Sequence, residues 1–198
     1  MPLFFSIWSE LMRLVLLGPP GSGKGTQAAQ MKETLQIPHI STGDLLRSEV
    51  VAGTPLGLQA KQVMAQGDLV SDAILIGMLE SRLSHTDVVK GFILDGYPRN
   101  LSQAAALDGL LAKLGHPLNA VVQLEVPTDV LVERIAGRAQ AEGREDDTPD
   151  AVRKRLQVYN DSTAPVIGFY QQRGILLRVD GVGRLDEVSQ RIVVALGC

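Results

Sequence analysis

Short apolar runs alternate with longer amphipathic ones along most of this chain. "RLVLL" (13–17), "GFILDG" (91–96), "NAVVQLEV" (119–126) and "ILLRVD" (175–180) have the length and composition of strands, and "IPHIS" (37–41) is a weaker run of the same kind. Between them, the spacing of apolar residues predicts helices over 24–36, 43–53, 56–66, 72–84, 100–114 and 128–138. A long helix is predicted over 149–172, breaking near Pro165, and an amphipathic helix closes the chain. Strands that alternate with helices in this way predict an α/β fold, a five-stranded parallel sheet with helices on both faces. "AGTP" and "QGDLVSD" punctuate the second quarter, and the polar run "AQAEGREDDTPD" (139–150) interrupts the apolar pattern. There is no internal repeat and no low-complexity tract.

Composition narrows the class. At 198 residues the chain supports one core and at most a small inserted subdomain. A net charge of −3 lacks the basic face that nucleic-acid binding needs, so nucleic acid is not an expected partner. The one cysteine, Cys198, excludes an internal disulfide framework and a cysteine-cluster zinc site. His39, His85 and His116 are far apart, and an ordinary structural role is expected for each. Residues 1–11, "MPLFFSIWSEL", carry no early positive charge and are too short for a membrane span of roughly 20 apolar residues. They are expected to be an appendage to a single domain over 12–198, with no part in chemistry. The basic residues are 6 Lys and 13 Arg, a bias toward the side chain whose planar fork grips phosphate with paired hydrogen bonds.

Chemistry enters at "GPPGSGKGT" (18–26). An apolar strand, a glycine-rich turn, Lys24 and a helix start form the frame of a phosphate-cradling loop, whose backbone N–H groups turn inward around an anion. The usual hydroxyl after the lysine is replaced by Gly25 and comes one place late, at Thr26. "HISTGDLLR" (39–47) sets Thr42 and Arg47 about one turn apart at a helix start, where a capping threonine and a solvated arginine are the plain alternatives. In "DGYPRNLSQ" (95–103), Arg99 and Gln103 are four residues apart and share a helix face, one suited to a phosphate and the other to a base edge. Arg134 and Arg138 are spaced in the same way. Thr148 and Pro149 predict an N-cap and first turn, after which Val152, Leu156 and Tyr159 share an apolar face flanked by Arg155. Arg153 is expected to be a surface charge.

These motifs together resemble the nucleoside monophosphate kinases. "MRLVLLGPPGSGKGTQA" is similar to the adenylate kinase family, and the likeness runs from Met12 to the C-terminus. The resemblance implies that Gly21, Ser22, Gly23, Lys24, Gly25, Thr26, Arg134, Arg138 and the Gly183 carbonyl bind ATP. It assigns AMP to the region 41–70 and the strand-end loop: Thr42, Arg47, Asp68, Leu69, Val70, Gly96, Tyr97, Pro98, Arg99 and Gln103. Lys24, Arg99, Arg134, Arg138, Arg144 and Arg155 would be the catalytic residues, with Lys24 on the β- and γ-phosphates, Arg134, Arg138 and Arg144 clamping the transferring phosphoryl group, and Arg99 on the acceptor phosphate. Arg144 and Arg155 would also reach the acceptor phosphate, while Asp146 and Asp147 would position lid arginines. Magnesium would be held by phosphate oxygens and waters, with Asp95 orienting one water.

Only about ten residues separate Gly137 from Asp147, so the lid (137–147) resembles the short form without a structural zinc. Pyrimidine-type relatives tend to carry Ala in place of Thr42 and Asn in place of Gln103, which points to AMP. The expectation is a monomeric, cytoplasmic enzyme that interconverts ATP plus AMP with two ADP. The rivals are a kinase for UMP, CMP or GMP, a P-loop switch ATPase, and a catalytically dead binding module.

Overall fold

In a computed structural model of the protein, the structure describes residues 11–66, 70–142 and 148–197, apart from the side chains of 136 and 138–142. Among the described residues, β1 (Met12–Leu17), β2 (His39–Ser41), β3 (Gly91–Asp95), β4 (Ala120–Glu125) and β5 (Leu176–Asp180) form one parallel sheet in the order β2-β3-β1-β4-β5. β1, β3 and most of β4 are buried on both faces, which is why they read as continuous apolar runs. The register aligns Leu16 with Asp95 and Ser41 with Asp95, so the carboxyl ends of β1, β2 and β3 come level. β1 is central, between β3 and β4; the chain runs from β1 out to β2 on one side and later from β3 across to β4 on the other. The crevice outside such a switch point is where open α/β sheets bind ligands.

Two apolar layers sandwich the sheet. On one face Leu14, Leu16, Ile93 and Val122 pack against Met31 of α1 (Lys24–Leu35) and Ile192 of α9 (Leu185–Leu196). On the other, Val15, Phe92, Leu94 and Val121 meet Leu79 of α4 (Asp72–Leu83), Leu107 of α5 (Leu101–Leu114) and Tyr170 of α8 (Ala164–Gln172). α2 (Thr42–Ala52) and α3 (Pro55–Ala65) form the region expected to take the acceptor, and they touch closely where Gly57 approaches the backbone at Glu49.

Two elements differ from the sequence expectation. α6 (Thr128–Glu142) continues four residues past the predicted end at 138, into the polar stretch. The long helix predicted over 149–172 is divided into α7 (Pro149–Val158), a π-helical turn (Tyr159–Thr163) and α8. Pro165 has no N–H to give to the carbonyl one turn back, and the widened turn directly before it accommodates that loss. The Tyr97–Pro98 bond is cis. Residues 1–10 lie outside the described residues; Met12 opens β1.

Leu107 is fully buried and Val194 is two-thirds exposed. Leu107→Ala should therefore lower stability by about 2–5 kcal/mol. Val194→Ala should stay within about 0.5 kcal/mol. Denaturant midpoints of the two variants check the contrast.

Candidate active site

The glycine loop leaves β1 and turns directly into α1, whose N-cap is Gly23. Gly21 has φ +81°, and a Cβ there would meet the Leu131 carbonyl oxygen at 2.9 Å and Ile135 Cγ1 at 2.7 Å. The loop thus closes against α6 only because it carries no side chain at that point. Lys24 folds back across the loop, its Nζ donating to the carbonyls of Gly18 (2.8 Å) and Pro19 (3.0 Å). Those contacts hold the ammonium over the concavity formed by the backbone amides.

At the end of β3, Asp95 is 9% exposed. Burial pushes its carboxyl up, but neighbouring His39, Lys24 and Arg99 outweigh this and hold it below the usual carboxylate range. His39 Nε2 lies 3.8 Å from Asp95 Oδ2, beyond a hydrogen bond, and finds no hydrogen-bond partner. A Cβ on Gly25 would stand 3.7 Å from that same oxygen. A hydroxyl side chain at position 25 would project into the space facing the carboxylate, which glycine leaves clear. This fits a hydrated cation between the loop and Asp95 better than direct ligation by a loop hydroxyl. Among the described residues, no group of three or more His, Cys, Asp or Glu side chains is arranged to hold a metal.

The opposite end of the cleft is lined by arginine. Arg99 follows the cis proline, and its Nε donates to the Gly96 carbonyl at 2.7 Å. Burial and the nearby charges of Arg155 and Arg47 pull Arg99 below its ordinary pKa, with Asp95 opposing. Three guanidinium groups from α2, the β3–α5 loop and α7 are therefore close enough to repel, an arrangement that favours a bound anion. Arg47 also pairs with Asp44 at 2.5 Å. The cap of α2 is Ser41, whose hydroxyl accepts from Asp44 N–H at 3.2 Å, and Thr42 is free of that task. Thr42 is buried beside the end of β3, with its Oγ1 3.5 Å from the Asp95 carbonyl.

One cleft of about 860 Å³ joins the two ends. It is lined by Gly21, Ser22, Gly23, Lys24, Gly25 and Thr26 of the loop, with Arg134 and Gly183 alongside. Thr42, Arg47, Val70, Gly96, Tyr97, Pro98, Arg99 and Arg155 line the other end, and Asp95 stands between them. Arg134 Nη2 donates to the Gly181 carbonyl at 3.1 Å, which ties α6 to the loop after β5. Arg153 pairs with Asp150 on the surface, as expected.

Gln103 is the exception among these side chains. It is fully buried behind the cleft wall, with both ends of its amide engaged by protein groups. Asp68, Leu69, Arg144, Asp146 and Asp147 lie outside the described residues, as does the side chain of Arg138.

Sequence reasoning missed three residues, two on the cleft wall and one behind it that binds Gln103. His39, assigned an ordinary role, stands at the wall beside Asp95. Thr163, on the π-helical turn, donates its hydroxyl to the Arg99 carbonyl at 2.8 Å and so joins the segment after α7 to the loop after β3. Asp72 accepts from Gln103 across 31 positions of sequence. Nothing local distinguishes these residues from caps and surface polar groups, because their partners are brought by the fold.

A phosphate loop at the end of a central parallel strand, facing an arginine cluster across one cleft, defines a P-loop phosphotransferase. The adenylate kinase family model matches residues 16–175. The chain is 99% identical over 187 residues to the adenylate kinase of Xylella fastidiosa strain M12, covering 94% of this chain and all of that protein. It is 76% identical over 186 residues to the adenylate kinase of Xanthomonas campestris pv. campestris strain 8004, with 94% and 100% covered. The chain belongs to the adenylate kinase family, and its activity class is nucleoside monophosphate kinase.

Thr163→Val would leave the Arg99 carbonyl without its buried donor. A stability loss of about 1–3 kcal/mol is expected. Thr163→Ser should recover most of it, and a denaturant melt of the two variants decides.

Proposed function

We propose that this protein catalyses reversible, magnesium-dependent phosphoryl transfer from ATP to AMP, giving two ADP, as a cytoplasmic monomer. The carrying observation is the pairing, in one cleft, of the Lys24 loop with the cluster Arg47, Arg99 and Arg155. A nucleotide switch has use for the first set alone. A second anion-gripping set facing the first suits a phosphorylated acceptor. No helix among the described residues is long and apolar enough to cross a membrane.

In this reading the loop N–H groups and Lys24 hold the β- and γ-phosphates of the donor, while Arg134 reaches the donor from α6. Arg47, Arg99 and Arg155 hold the acceptor phosphate so that its oxygen faces the γ-phosphorus in line with the leaving oxygen. Phosphoryl transfer of this kind needs no protein nucleophile; positioning and charge neutralisation dominate, and one well-placed arginine contributes roughly a thousandfold or more. Arg138 and Arg144, with Asp146 and Asp147, belong to the lid in this scheme and close over the transferring group, keeping water out. Asp95 would hold magnesium through water, and the ion when bound supplies charge neutralisation at the phosphates. Thr42 and Val70 shape the base pocket of the acceptor, with Asp68 and Leu69 assigned to the same pocket.

The test is product formation from ATP and magnesium with AMP, UMP, CMP, GMP or no acceptor, resolved by chromatography. ADP forming only with AMP is expected. Preference for UMP or CMP would overturn the acceptor reading, and slow hydrolysis without acceptor would overturn transfer itself. Arg99→Ala should lower kcat by about a thousandfold.

A further inference from the structure

We propose that Asp72 is a specificity-determining residue of the acceptor site, fixing the polarity of the Gln103 amide so that it matches a 6-amino purine and mismatches a 6-oxo purine. The inference rests on the reading of this cleft as an AMP site.

Gln103 is 0% exposed. Its Oε1 accepts from the Arg99 backbone N–H at 2.7 Å, and its Nε2 donates to Asp72 Oδ1 at 2.6 Å. The oxygen and nitrogen of a free amide exchange places by a half-turn about the last side-chain bond. Here that half-turn is opposed at both ends. A backbone N–H can only donate and a carboxylate can only accept, so the turned amide would set N–H against N–H and oxygen against carboxylate. The two partners come from separate elements, the loop after β3 and the first residue of α4. The Gln103 backbone is also held, its N–H donating to the N-cap Asn100 Oδ1 at 2.8 Å.

Two groups of the amide remain for a ligand: the second lone pair of Oε1 and the second N–H of Nε2. That pair complements adenine, whose 6-amino group donates and whose neighbouring ring nitrogen accepts. Hypoxanthine and guanine carry a carbonyl at position 6 and a protonated N1, so they require the turned amide. Gln103 is buried and does not itself line the cleft, whereas Tyr97, Pro98 and Arg99, a few residues before it, do. Its polarity is set before any base reaches it. Discrimination then comes from a repulsive cost imposed on the wrong base as well as from bonds to the right one.

Asp72→Asn tests this with little change of shape, because an asparagine amide can face either orientation of Gln103. Wild type and variant are compared by the ratio of kcat/KM for AMP to that for IMP, and by the ratio of dissociation constants for the two nucleotides. The ratios should fall by about tenfold in Asp72→Asn. They should fall at least as far in Asp72→Leu, and Asp72→Asn should add nothing in a Gln103→Leu background.

Ratios unchanged in folded Asp72→Asn would overturn the proposal even if activity on AMP dropped, since that is what a merely structural contact would show. A fall that persists in the Gln103→Leu background would also overturn it. Should Asp72→Leu fail to fold, Asp72→Asn carries the test alone. A wild-type protein that does not phosphorylate AMP would instead refute the AMP reading, and the wild-type control shows this before any variant is compared.

Discussion

Everything in this cleft depends on how closely the phosphate loop is pressed into the end of the sheet. At Gly18 a Cβ would lie 3.0 Å from the Leu124 carbonyl oxygen, and at Gly21 it would lie 2.9 Å from that of Leu131. β4 and α6 thus approach the loop to backbone contact, and side chains at these two positions would push them away. With those positions bare, the amides turn inward, α1 begins directly behind them, and Lys24 is braced on two loop carbonyls. An anion placed there meets backbone donors, a helix N-terminus and an ammonium group together. The same closeness brings Gly25 to the Asp95 carboxylate, where a Cβ would stand 3.7 Å from Oδ2.

The other end of the cleft is organised by charge. Arg99 is held half-buried by the Gly96 carbonyl and lies near Asp95, while Arg47 and Arg155 approach from α2 and α7. Like charges gathered in this way repel, and an anion placed between them lowers that repulsion. Neutral contacts also hold Arg99 in place, at its Nε and at its backbone carbonyl. Thr163 donates to the Arg99 carbonyl from the π-helical turn, so the segment between α7 and α8 and the loop carrying Arg99 are joined by a hydrogen bond.

The sheet, its flanking helices and the ends of the site were legible along the chain because their signals are local. A run such as "RLVLLG" declares a buried strand by its own composition, and the glycines and lysine after it declare a phosphate loop by spacing alone. The arginine at the end of "DGYPR" could be located by resemblance, and the structure brings it to the cleft with Arg47 and Arg155. Helix breaks were less legible. Pro165 announced an interruption, but whether the chain would kink or widen into a π-helical turn depended on what packs around residues 159–163.

Long-range polar pairing was not legible at all. Ser41 rather than Thr42 caps α2, which leaves Thr42 to face the end of β3. His39 meets Asp95 only because β2 and β3 run side by side. Gln103, a base reader by spacing, is buried and bonded at each end of its amide, to the Arg99 N–H and to Asp72. By itself the sequence determined the strands and the glycine-rich strand–loop–helix frame that carries Lys24, since backbone geometry and side-chain type act over a few residues. Only the tertiary structure decided which polar atoms meet, because hydrogen bonds reach about 3 Å while their partners lie tens of residues apart until the sheet assembles.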